Sequence, residues 1–287
     1  MIAGGQYRIV VNDKDWGMPW SFWPMGDIHW WNAACDEAAA DDTLGTIADD
    51  PLSRMIGMGD YNDLIGTQDK RFDGDSIAPA HVHEFLKGQA GNAKKHMSAK
   101  FKPIADQNKL IGLHLGNHEW KFDNKMESAI VQDVCEELKV PFLGYAALHD
   151  ICFEHKKSHE ARRFRVMSHH GAGYALTKGG KINRLERFMD DFDAEVYLIG
   201  HLHETLDDEK VRLGADPSCN RLIAHTRIAI MTGTYLKTYC ENPDGSSTYG
   251  ERAAYRPTAI GTPRLGIVPE SGRLFVEKPK GHLRWRV

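Results

Sequence analysis

Apolar runs of strand length alternate along the first two hundred residues with longer stretches of helical spacing. Tyr7–Val11, Ser21–Met25, Arg54–Met58, Leu110–Leu115, Arg163–Ser168 and Val196–Ile199 read as strands. Between them, Cys35–Ala48, Val82–Ile104, Lys125–Leu138 and Ile182–Phe192 carry the three-to-four-residue period of amphipathic helices. In the second of these, Val82, Phe85, Leu86, Ala93, Met97, Phe101 and Ile104 fall near one face, with Gly88 and Gly91 weakening the helix by about 1 kcal/mol each against Ala. Such alternation predicts a layered α/β domain. After residue 204 the helical period fades. Leu222–Met231, Thr234–Tyr239, Arg264–Val268 and Arg273–Val276 read as strands, the last two joined by Pro269-Glu270-Ser271-Gly272 as a hairpin, and Glu241–Gly250 reads as a loop. No repeat and no linker divides the chain. The expectation is one domain over 1–287, with a core at 7–204 and a β-rich part at 205–287 packed on it.

Composition narrows the class without choosing within it. The chain has 287 residues, of which 41% are hydrophobic and 26% charged, ordinary values for a globular protein. A net charge of −4 argues against a protein built mainly to coat nucleic acid. It leaves room for an enzyme acting on phosphates, because bound cations can supply the local positive field. Five cysteines, scattered without a CxxC pair, predict reduced thiols and a cytoplasmic setting. No run approaches the roughly 20 apolar residues of a membrane span, so no membrane role is expected.

The chemistry gathers where the strands end. Five polar clusters follow five apolar runs: GDIH at 26–29, GDYND at 59–63, GNHE at 116–119, SHHG at 168–171 and GHLH at 200–203. Ligands in α/β sheets collect beyond the carboxyl ends of strands, so these clusters would share one cleft. Four of the five place Gly directly before the first polar group, which would let the chain turn sharply. Mixed imidazole nitrogen and carboxylate oxygen suits Mn²⁺, Fe or Zn²⁺ better than Mg²⁺ or Ca²⁺. Asp27, His29, Asp60, Asn117, one of His169 and His170, His201 and His203 make seven ligands, too many for one ion that must also hold substrate. They suit two ions sharing a carboxylate, an arrangement that clamps both oxygens of a phosphoryl displacement.

In this order the five clusters resemble the calcineurin-like metallophosphoesterase superfamily. The resemblance covers residues 26–203 and implies an αββα sandwich of two packed mixed β-sheets flanked by helices. It implies one divalent ion held by Asp27, His29, Asp60 and His203, and a second held by Asp60, Asn117, His170 and His201. Mn²⁺ is the first expectation, with Fe, Zn²⁺ or Ni²⁺ as alternatives. In the fourth motif a His directly before Gly is the family's pattern, which favours His170 over His169. The resemblance further makes His118 the proton donor to the leaving oxygen and Asp63 the carboxylate that keeps its imidazole protonated, with a metal-bridging hydroxide attacking phosphorus.

Two departures bear on substrate. The family's protein-phosphatase branch carries an Arg after the residue matching Asp63 and another before GNHE. Here Leu64, Ile65 and Leu115 stand at and around those places. A dianionic monoester gains most from bidentate Arg. The expected activity is therefore a phosphodiesterase on a nucleotide-like or nucleic-acid substrate. The alternatives are a DNA nuclease of the recombination-repair type, a phosphomonoesterase, and a non-catalytic scaffold, which would have lost ligands or His118.

The remaining polar and aromatic signals have blander readings. His96, His114, His149, His225 and His282 read as surface or core residues, His155 and His159 as a solvated loop, and His81 and His83 as groups at or behind the cleft rim. Lys94, Lys95, Lys100 and Lys102 read as a solvated helix face, or as a wall for substrate together with the segment 69–79. Lys178 and Lys181, in the loop leaving the fourth motif, could approach a phosphate. Trp30, Trp31, Tyr61 and Trp120 read as core or as base-stacking surfaces, which typically contribute about 1–3 kcal/mol per base.

Overall fold

The computed structural model of the protein describes residues 3–65, 74–83, 87–240 and 247–279. Its first strands are β1 (Ala3–Val11), β2 (Trp20–Met25), β3 (Ser53–Gly57), β4 (Leu110–His114), β5 (Phe142–Gly144) and β6 (Ala146–His155). They are followed by β7 (Ala161–His169), β8 (Val196–Ile199), β9 (Thr205–Ala215), β10 (Leu222–Thr232), β11 (Arg264–Val268) and β12 (Arg273–Glu277). The α-helices among the described residues are α1 (Asp13–Trp16), α2 (Glu37–Asp49), α3 (Gln89–Ala105), α4 (Asn117–Met126), α5 (Ile130–Leu138), α6 (Lys178–Asp191) and α7 (Tyr249–Arg252).

The strands form two mixed six-stranded sheets, in the orders β1-β6-β7-β8-β10-β9 and β12-β11-β2-β3-β4-β5. Ile9, Phe22, Ile56, Ile111, Phe153, Val166, Leu198 and Ile267 pack between them. Helices α2, α3 and α5 bury Leu44, Ile47, Met97, Phe101 and Val134 on the outer face of the second sheet, while α6 buries Leu185 and Met189 on the first. This is a layered α/β sandwich. Residues after 204 put strands into both sheets: β9 and β10 extend the first, β11 and β12 the second.

Four expectations change. The helix expected over Val82–Ile104 starts at Gln89, because Gly88 takes a left-handed φ of 81° at its N-cap; Phe85 and Leu86 lie outside the described residues. The helix expected over Lys125–Leu138 is two helices. Glu127 turns left-handed at φ 50°, and the Asp123 carboxylate accepts from Ser128 Oγ and Ile130 N, capping the start of α5. Thr234–Tyr239 makes only single bridges, Thr234 to Gly261 and Leu236 to Cys35, because Thr234 Oγ and Tyr235 N are spent on the carbonyl of Asp27. The loop expected over Glu241–Gly250 ends in the start of α7, and its residues 241–246 lie outside the described residues.

β5, β6 and β9 were not legible as strands. β6 turns Ala147, His149, Ile151 and Phe153 inward, and one polar residue interrupts the apolar alternation. His149 is tolerated there because β7 supplies Ser168. His149 Nε2 donates to Ser168 Oγ (2.9 Å), Ser168 Oγ donates to His114 Nε2 (2.8 Å), and His114 Nδ1 donates to the Gly144 carbonyl (2.9 Å). This chain uses both rings in their neutral forms, and burial pushes His114 down to about 3 and His149 to about 4. Unfolded histidines titrate near 6.5. The stability these two groups contribute is therefore full above pH about 6.5 and is lost as pH falls toward about 4. His149→Gln, whose amide can still donate to Ser168, is expected to lower the pH dependence of unfolding free energy between about pH 6.5 and 4.5 by up to about one proton. Denaturant titrations at several pH values check this; coincident slopes for the two proteins would assign the dependence elsewhere.

Candidate metal centre

The five motifs meet at one end of the sandwich, straddling both sheets. Asp27 and His29 follow β2, Asp60 and Asp63 follow β3, and Asn117 opens α4 directly after β4. From the other sheet, His170 follows β7 and His201 and His203 follow β8. β2, β3 and β4 run parallel to one another, as do β7 and β8, so in each sheet the chain leaves those strands at the same edge.

The sharp turns are made mainly by the polar residues themselves. Asp27, His29, Asp60, His201 and His203 all have left-handed φ, between 47° and 69°. Such backbone costs on the order of 1–3 kcal/mol per residue and persists where surrounding structure enforces it, as at functional sites. The preceding glycines serve close approach more than turning. A Cβ on Gly116 would lie 2.1 Å from both the amide and the carboxylate of Asp60, and only Gly59 among the four has a positive φ, 91°.

Two buried groups of ligand atoms result. Asp27, His29 and His203 form one, with His203 Nε2 3.1 Å from His29 Nε2 and 3.2 Å from Asp27 Oδ1. Asp60, His170 and His201 form the other, with His170 Nε2 3.5 Å from Asp60 Oδ2. Asp60 also lies within 4.8 Å of ligand atoms of His29 and His118, so it stands between the two groups. In the second group each imidazole has one nitrogen tied down. His170 Nδ1 donates to the Met58 carbonyl (2.7 Å) and His201 Nε2 to that of Gly173 (3.0 Å). Their other nitrogens are left as lone-pair donors turned toward one point, the tautomer control that metal-binding histidines receive.

Asn117 completes that group: its side-chain amide comes within 2.6 Å of His201 Nδ1 and 3.3 Å of both His170 Nε2 and Asp60 Oδ2, and its backbone N–H donates to His170 Nε2 at 3.3 Å. In the other group Asp27 Oδ1 is buried without a hydrogen-bond partner. The donor set fits divalent ions with mixed nitrogen and oxygen shells. These buried His/Asp clusters can hold metal.

His118 sits beside the ligands and leans on Asp63. His118 Nδ1 is 2.8 Å from Asp63 Oδ1, and the same oxygen is 3.6 Å from His29 Nδ1. Asn32 Nδ2 donates to the other oxygen at 2.5 Å. Burial opposes the Asp63 charge, but the two imidazoles overcome it and hold the carboxyl far below its usual range. Asp60 is likewise kept well below normal, its burial outweighed by His170 and His118. Asp63 thus aims the His118 ring from its Nδ1 side.

Sequence reasoning gave Glu119 no role, yet it builds the site. Fully buried, its carboxylate accepts from the backbone amides of Asp60 (3.1 Å), Tyr61 (2.6 Å) and Asn62 (3.2 Å). Burial and the charge of Asp60 raise it to about 7. A Glu in the first turn of a helix is a common cap, and only the fold reveals that it gathers the amides of another loop.

Other sequence readings sort out by position. His170 lies in the cluster, whereas His169 Nδ1 accepts from Gly171 N (2.7 Å) and its ring packs on Phe188. Trp30, Trp31 and Tyr61 are core; Trp120 stands in solvent. His81 bonds Glu37, and residues 74–83 pack on Trp31 and Ala33 through the Ser76 and Ala78 backbone; residues 69–73 of the expected wall, and His282, lie outside the described residues. Lys94, Lys100 and Lys102 pair with Asp133, Asp41 and Asp106, and Lys181 with Glu204. Among the described residues no Arg or Lys pairs with any of the seven ligand side chains, all five cysteines are free, and no helix is long and apolar enough to cross a membrane.

No protein-family model matches the chain, and no curated protein matches it.

Proposed function

We infer that the protein is a phosphoester hydrolase of the calcineurin-like type, dependent on two divalent ions and favouring diesters. The observation that carries this reading is the convergence of carboxylate and imidazole ligand atoms on two adjacent points with Asp60 between them. Asp27, His29, Asp60 and His203 would hold one ion and Asp60, Asn117, His170 and His201 the other, with Mn²⁺ the best match to the donor set. Such ions, when bound, neutralise phosphate charge and lower the pKa of water. The chain's own part is to hold geometry and a proton. Asp63 and Asn32 fix His118 so that Nε2 can protonate a leaving alkoxide, and Glu119 fixes the loop that carries Asp60.

The diester preference rests on charge. Leu64, Ile65 and Leu115 stand where the protein-phosphatase branch carries its phosphate-clamping Arg, and one negative charge needs such a clamp less than two. The pairing of Lys94, Lys100 and Lys102 with Asp133, Asp41 and Asp106 also weakens the nuclease alternative, since three of the four charges of that run are already partnered. With Mn²⁺, kcat/KM for bis-p-nitrophenyl phosphate is expected to exceed that for p-nitrophenyl phosphate by about tenfold or more, equivalent to about 1.4 kcal/mol. A monoester preferred by tenfold would overturn the diester reading and leave the metal centre intact. No hydrolysis of either ester with any divalent ion would overturn the hydrolase reading itself.

A further inference from the structure

Two exposed aromatic residues stand close along the chain to ligands of the Asn117–His170–His201 half of the cleft, and the chemistry above uses neither. Trp120 lies on the first turn of α4, three residues after Asn117, so the two occupy neighbouring positions on the helix surface. It is 47% exposed, in a chain that buries Trp30 and Trp31. Tyr174 is 58% exposed and follows Gly173, the residue whose carbonyl accepts from His201. The loop bearing Tyr174 leaves His170 directly and is pinned. Arg184 donates from Nη1 to the Ala172 carbonyl (2.5 Å) and from Nη2 to that of Tyr174 (2.9 Å). The Tyr174 ring also stands against Tyr255, with centroids 6.1 Å apart. Tyr145 lines the same half, its ring 6.0 Å from His170. The opposite half, around Asp27, His29 and His203, has His118 and Asp63 for neighbours instead.

Large aromatic side chains kept in water on an anchored loop and a helix, beside a cluster suited to binding phosphate, mark a place for a flat apolar group carried by the phosphate. We propose that Trp120 and Tyr174 form a subsite that stacks a nucleobase attached to the bound phosphoryl group. The inference rests on the phosphoester reading and names its substrate class. A free nucleotide and the end of a nucleic-acid strand offer the same chemistry. Stacking on aromatic rings is tolerant of base identity, because every base has a π-face.

The test is equilibrium binding, so that it does not depend on turnover. The probes are adenosine 5′-methylenephosphonate, which cannot be hydrolysed, and the same sugar phosphonate without its base. With Mn²⁺ present, calorimetry on the whole protein is expected to show the adenosine compound binding about tenfold more tightly. Trp120→Ala and Tyr174→Ala should each remove most of that difference and leave the base-free probe unchanged, while Trp120→Phe should retain it. Equal affinity of the two probes for the unaltered protein would overturn the proposal, as would variants that keep the full difference. A short oligothymidylate with a 5′-phosphonate separates the sources: tighter binding that weakens steeply with salt assigns the subsite to a strand end, and binding no tighter than the mononucleoside assigns it to a free nucleotide. A protein that prefers the adenosine probe yet hydrolyses no ester would refute the hydrolase reading alone. One that hydrolyses diesters without any preference for a base would refute this inference alone.

Discussion

Asp60→Asn is expected to lose metal and turnover together. Among the described residues Asp60 is the one carboxylate within reach of both ligand groups, and one of its oxygens accepts the His118 amide at 2.9 Å. The amide of Asn keeps the shape and one oxygen but removes the negative charge that two cations would share. Its NH₂ would also face His170 Nε2 or the His118 amide, replacing attraction by a donor directed at a cation or at another donor. Each ion is worth several kcal/mol of transition-state stabilisation, so kcat/KM should fall by roughly 10³-fold or more. Elemental analysis of the purified proteins should find about two ions per chain in the unaltered protein and one or fewer in the variant. A variant with full metal content and normal activity would refute the shared-ligand assignment. Binding of a single ion with Asp60 far from it would do the same.

His118→Asn should behave in the opposite way, keeping metal and losing rate. His118 Nδ1 is engaged by Asp63, and on the hydrolase reading Nε2 carries the transferred proton. Removal of a positioned general acid typically costs about 10²–10⁴-fold. The loss should be large for substrates with alkoxide leaving groups, which need a proton, and small for nitrophenolate, which does not. Asp63→Asn should show the same leaving-group pattern with a smaller loss, since the ring stays but its orienting charge goes. A loss by His118→Asn independent of leaving group would assign the residue to positioning. Loss of metal content would assign it to the ligand shell, because His118 also lies within 4.8 Å of ligand atoms of His29 and Asp60.

How the site is held differs from what the motifs alone suggest. Glycine before each ligand reads naturally as a flexible turn, but Gly116 is needed because any Cβ would collide with Asp60. The unusual φ values fall on Asp27, His29, Asp60, His201 and His203, of types that reach them more readily than other side chains but still uncommonly. The enforcing contacts come from elsewhere in the chain: His201 N donates to Asp27 Oδ2 (2.8 Å), and Glu119 gathers the amides after Gly59. Both lie at sequence distances where no local pattern operates.

The layered α/β class, most of the inward-facing strands and the set of residues that meet at the cleft are legible in residue order. Those features are local. A strand such as Val196–Ile199 is four apolar residues between turns, and a ligand motif is a few polar residues directly after it. What depends on distant partners emerges with the fold. β6 carries a buried His149 because β7 brings Ser168, and β9, with a run of charged residues from Asp207 to Lys210, is a strand because β10 pairs along its whole length. Thr234–Tyr239 is no strand because its polar groups are spent on Asp27. The fold also chose His170 over His169, left Trp120 in water while burying Trp30 and Trp31, and turned the first-turn Glu119 into the anchor of the Asp60 loop. In each case the free energy comes from burial or hydrogen bonds between segments far apart in the chain, and residue type and spacing do not encode which segments will meet.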